Sequence, residues 1–152
     1  MHQIASAAFT DRRVAVAPAE TDGARKLHYV VDRVERLVTI VGEYADAAEW
    51  RSLLRRMLHD SRVQPGFAFL RDRRGAPTPA DVDVIVGVMD AIGRFWPHLQ
   101  PSRAAILVSR DCDPIRLAAY SLADACGLSV ATFTSYDEAR RWLREGPAAG
   151  AP

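Results

Sequence analysis

Lysine is almost missing from this chain: among 20 basic residues only Lys26 is a lysine. That excludes mechanisms needing a lysine further along, such as a response-regulator receiver or a phosphate-cradling P-loop, whose Gly-x-x-x-x-Gly-Lys is lacking as well. Cysteine is scarce too. Cys112 and Cys126 flank a predicted helix, an awkward pair to bridge, so reduced thiols are expected. No apolar run approaches the ~18 residues of a membrane span, which argues against membrane insertion. The start, Met1 to Ala8, is short and lacks the basic opening of a signal peptide, so a cytoplasmic location is the expectation. Charge of one sign is also missing. A formal balance of +1 is unlike the strongly basic stripe of a nucleic-acid binder, and no nucleic-acid partner is expected. His2, His28, His59 and His98 show no paired ligand spacing, and no Gly-x-Ser-x-Gly elbow occurs. No metal, no cofactor and no catalytic residue is therefore assigned, and the chain is read as a non-enzyme.

What is present suits one domain. The 152 residues, 49% of them hydrophobic, can bury a core of ordinary size. Residues 1–26 mix Ala, Thr, Asp and Arg without periodicity and read as a flexible extension; 27–144 form the domain, and 145–152 a small-residue tail. Leu27 to Val31 and Leu37 to Val41 are β-rich runs around Asp32-Arg-Val-Glu-Arg36, which predicts an antiparallel hairpin. Asp46 and Glu49 have capping-box spacing, and the helix after them lines up Ala47, Trp50, Leu54, Met57 and Leu58.

The chain is organised around Gly66 to Pro97. Gly66-Phe-Ala-Phe-Leu70 reads as a buried strand, Arg71-Asp-Arg-Arg74 as a charged turn, and Thr78-Pro79 as the cap and first position of a central helix. That helix carries Val82, Ile85, Val86, Met89, Ile92 and Trp96 on the stripe expected to face the sheet. Val84, Val88, Ala91 and Phe95 form a second stripe on nearly the opposite side. A single sheet-packed helix needs one stripe, so the second calls for another helix or a partner chain. Ala104 to Val108 and Leu128 to Phe133 are the last strands. Between them, a helix opened by Asp113-Pro114 buries Ile115, Ala118, Ala119, Leu122 and Cys126 and stops at Gly127. Ser135 and Glu138 cap a final helix with Tyr136, Ala139 and Leu143 inward. The order β-β-α-β-α-β-α-β-α predicts an α/β fold, a mixed, mostly parallel sheet of about five strands with four helices.

That order, the Thr78-Pro79 entry and the ending Val130-Ala-Thr-Phe-Thr-Ser-Tyr-Asp-Glu-Ala-Arg-Arg-Trp-Leu143 resemble the SpoIIAA-like branch of the STAS fold, bacterial anti-sigma-factor antagonists and sulphate-transporter domains. The resemblance covers about residues 27–144. It implies a regulatory or scaffold module that works through a protein partner or a second copy of itself. Antagonists of the family carry a phosphorylated serine in an Asp-Ser-Ser-Gly-like motif at the start of the central helix. Here that motif is absent, and Thr78 is the hydroxyl near the position.

Four groups are the candidate sites. Thr78 is either a phosphorylation switch, set among arginines at a helix start, or a plain N-cap. Arg71, Arg73 and Arg74 are either an anion receptor or a solvated turn. Asp111, Cys112 and Asp113 lie where α/β folds place ligands, Asp113 also serving as a cap and Cys112 as a candidate reactive thiol. Val84, Val88, Ala91 and Phe95 are the candidate interface. Two functions follow: a protein-interaction module, homodimeric through the central helix, or a sensor binding a small molecule or anion at the C-terminal strand ends.

Overall fold

A computed structural model describes residues 26–42, 46–75, 82–99, 102–110, 116–118, 121 and 127–145. Five strands form one sheet in the order in which they occur in the chain. β1 (His28–Asp32) and β2 (Leu37–Val41) are the antiparallel hairpin, in register His28 with Val41 through Asp32 with Leu37. β3 (Ala68–Asp72), β4 (Arg103–Leu107) and β5 (Ser129–Phe133) then add in parallel. This is the α/β architecture that the alternation of β-rich runs and capped amphipathic segments predicts. Residues 116–118 and 121, between β4 and β5, are helical.

The first face of the sheet carries α1 (Ala47–His59) and α2 (Val82–Phe95), the latter followed by a 3-10 turn at Trp96–His98. α1 begins where the capping box puts it, with Glu49 N–H donating to Asp46 Oδ1 at 2.8 Å. It buries Trp50, Leu53, Leu54 and Met57 against Val38, Ile40, Phe67 and Phe69. Leu53, fully buried, is not on the face that sequence spacing selects. α1 and α2 approach closely at Gly87, where an added Cβ would stand 3.2 Å from Ala47 Cβ.

α3 (Tyr136–Arg144) covers the opposite face, placing Ala139 and Leu143 on Leu37, Leu70, Ala105 and Leu107. Its start is capped by Ser135 Oγ, which accepts from Glu138 N–H at 3.4 Å. Trp142 packs on this cluster too, tilted against Phe133 at 5.6 Å between ring centres. Tyr136, expected inward, is instead 39% exposed, because the Arg74 and Arg140 guanidiniums lie 5.9 and 5.6 Å from its ring and hold it at the surface. No helix among the described residues is long and apolar enough to cross a membrane.

The two stripes of α2 merge into one buried side. Ala91 is fully buried, and Val88, Ile92 and Phe95 pack on the first core cluster together with Met89. Positions 88, 91, 92 and 95 are the i, i+3, i+4, i+7 pattern of a single inward face. Val88, Ala91 and Phe95 of the second stripe thus pack within the chain, with α1 alongside. Val86, assigned inward from its spacing, is 56% exposed because the helix is rotated toward Ala91.

Candidate anion site at the strand ends

The sequence pattern puts Arg71 in a turn, yet it belongs to β3, which starts two residues later than that pattern indicates. Gly66, with φ of 88°, still belongs to the preceding turn, so the strand runs Ala68–Asp72 and carries Arg71 into the sheet. Alternation then decides its side. Phe69 and Arg71 point to the α1 face, while Leu70 and Asp72 point to the α3 face. Arg71 is paired with Ile40 in register and is only 9% exposed.

A buried guanidinium must find acceptors. Arg71 Nη1 donates to the carbonyls of Ile40 at 3.3 Å and Asp72 at 3.2 Å, and Nη2 donates to that of Gly42 at 3.1 Å. Its Cζ lies 5.9 Å from the centre of the Trp50 ring on α1. Gly42 makes this possible. Its φ of 148° and the 2.9 Å that would separate a Cβ from Leu27 Cα show that only glycine lets β2 end this close to the chain entering β1. Among the described residues no carboxylate is within ion-pairing distance of Arg71. Burial, and then the neighbouring charge of Arg73, pull its pKa below the ordinary guanidinium range to about 10, with Asp72 opposing. It remains a cation at neutral pH, with neutral acceptors around it. Beside Trp50 on α1, Glu49 keeps Oε2 buried with no hydrogen-bond partner among the described residues.

The arginine trio is therefore not one receptor. Arg74 lies toward the other face and is already paired. Its Nε and Nη2 fork onto Asp72 Oδ1 and Oδ2 at 3.1 and 2.8 Å, and its N–H donates to Oδ1 at 3.0 Å. Desolvation pushes the Asp72 carboxyl up, but these bonds to Arg74 outweigh it and hold the group below its ordinary range. Arg73 donates its backbone N–H to Leu107 O at 2.8 Å, prolonging the β3–β4 ladder, and makes a further interaction of its own. Of the three, Arg71 alone joins burial to the lack of a described acidic partner.

Thr78, Asp111, Cys112 and Asp113 lie outside the described residues. Ala91 is core, Val88 and Phe95 are half-buried and packed against the core, and Val84 is half-buried. Sequence reading missed Trp50 as the stacking partner of Arg71; the signal available was an aromatic in the first turn of the helix that follows β2. An open groove of about 510 Å³ runs along α3, lined by Tyr136, Asp137, Arg140, Arg141, Arg144 and Glu145. All six belong to one helical stretch, so the groove is relief on its outer side and encloses nothing. Among the described residues no three His, Cys, Asp or Glu side chains gather as metal ligands do. Comparison with family models, with curated proteins and with solved structures gave no significant match.

Proposed function

We propose that this chain is a non-enzymatic regulatory module of STAS type that reads an anion at the C-terminal ends of its parallel strands and acts through contact with a protein partner or a second copy of itself. One observation carries the reading: Arg71 is a buried cation whose described acceptors are carbonyl oxygens. An uncompensated buried charge costs several kcal/mol, and an arriving carboxylate or phosphate oxygen offsets that cost with charge-assisted hydrogen bonds. Open α/β sheets hold their ligands outside the carboxyl ends of the parallel strands. Anion binding there would tie β2, β3 and α1 together through Gly42, Arg71 and Trp50, changing the surface offered to a partner. The STAS-type reading rests on the element order and on the Phe133 to Leu143 ending.

The test is the melting temperature of the full chain across inorganic phosphate, acetate and sulphate at constant ionic strength. A ligand that binds only the native state raises Tm in proportion to ln(1 + [L]/Kd). A rise in the wild type that vanishes in Arg71→Met supports the proposal; equal behaviour of the two proteins overturns it.

A further inference from the structure

The outer edge of β1 carries a pattern that matches itself. Among the described residues β1 pairs with β2 alone, and the backbone donors and acceptors on its other side have no described strand partner. On the face of the sheet that carries α3, its side chains are His28, Val30 and Asp32. Val30 is 46% exposed and Asp32 is exposed, whereas every residue of β5, the opposite edge, is half-buried. An apolar residue thus stands open between a basic and an acidic one, each two positions away.

We infer that β1 pairs antiparallel with β1 of a second copy about a two-fold axis at Val30, continuing the sheet across the dimer. In that register Val30 faces Val30 of the second copy, and His28 faces Asp32 of the second copy on both sides of the axis. The arrangement is isologous, as a closed two-fold interface requires. Cross-strand apolar and opposite-charge pairs are the stabilising combinations in an antiparallel ladder. On the other face, Tyr29 falls opposite Val31 of the second copy, and the Tyr29 hydroxyl keeps its 2.8 Å bond to Asp60 Oδ2. The edge is therefore complementary to itself: a His28 ring N–H can donate to the Asp32 carboxylate of the second copy, whose Oδ1 also accepts from the Val34 and Glu35 N–H groups, and this self-complementarity selects a second copy as the occupant of this edge.

The experiment uses the full chain in sedimentation velocity and native mass spectrometry over roughly 10–500 µM, a range suited to a small interface. The wild type should dimerise. Val30→Lys and Val30→Glu, each placing like charges opposite each other, should weaken the dimer at least about tenfold. Mixing the two variants in equal amounts should restore a dimer, now mixed, because an ammonium then faces a carboxylate at the axis. If Val30→Lys fails to fold, His28→Asp carries the same test by setting a second carboxylate against Asp32 of the other copy. A wild type that stays monomeric throughout, a Val30→Lys protein that dimerises like the wild type, or a mixture of folded variants that stays monomeric overturns the inference.

Discussion

Replacing Arg71 by Met keeps an unbranched chain against Trp50 and removes the charge, and the structure fixes the terms that then compete. Lowering the pKa from the ordinary guanidinium range to about 10 corresponds to roughly 3 kcal/mol against the charged form, which the substitution relieves. Three hydrogen bonds are lost, those to the carbonyls of Ile40, Gly42 and Asp72. At 3.1–3.3 Å they are long, so each is worth about 1.5 kcal/mol, the low end for a charged donor, and the stacking on Trp50 adds about 1 kcal/mol. The loss outweighs the relief, and Arg71→Met should be less stable by about 2 kcal/mol. Urea unfolding followed by tryptophan fluorescence measures this directly. The sign with pH also follows. A base whose pKa is depressed by folding bears its full penalty below about pH 10 and is relieved of it as pH rises from there toward the ordinary guanidinium range, so the wild type should close on or pass the variant as pH rises above about 10. A loss above roughly 4 kcal/mol, with no response of the wild type to anions, would make Arg71 a structural clasp and refute the reasoning.

Other substitutions test the frame around it. Leu70→Ala empties a fully buried position beneath α3 and should cost about 2–5 kcal/mol in urea unfolding. Arg36 closes the hairpin turn at φ of 53°, a conformation that disfavours a Cβ, so Arg36→Gly should be more stable than Arg36→Ala by about 1 kcal/mol in the same assay. Asp60 accepts from Arg62 and from Tyr29, and its hydrogen bonds to Arg62 hold its carboxyl well below the ordinary 3.8. The stability these bonds supply is present above pH 3.8 and fades as pH falls through the lower folded value. Asp60→Asn should therefore trail the wild type by under about 1 kcal/mol at neutral pH, as for exposed pairs, and by less at pH 3 in parallel thermal melts.

The elements were legible because each is locally signalled. Asp46 and Ser135 both cap the helices that their spacing announces, and β2 spans the residues that its β-rich run spans. What local pattern could not supply was the side on which a residue falls when two elements compete for it. A one-residue difference in strand start turns every side chain over. The two-residue offset at β3 kept Phe69 inward but drew Arg71 out of the turn and into the core. On α2 the residues are apolar almost all round, so the sequence offered two stripes, and only packing against α1 near Gly87 chose the line through Ala91. The candidate anion site was legible as a cluster of three arginines. Its division between two faces was not, because it depends on Asp72 engaging Arg74 while Trp50 and the β2 carbonyls engage Arg71.

The Arg71 guanidinium itself offers the most direct test of anion binding. In the ¹⁵N-labelled full chain, the Nε–H resonance of Arg71, assigned by its absence from Arg71→Met, is followed as inorganic phosphate or acetate is added at constant ionic strength. A saturating shift at Arg71, with the exposed Nε–H groups of Arg62 and Arg94 unmoved, is the predicted result. An Arg71 signal that stays fixed, or that moves linearly along with those two, would contradict it.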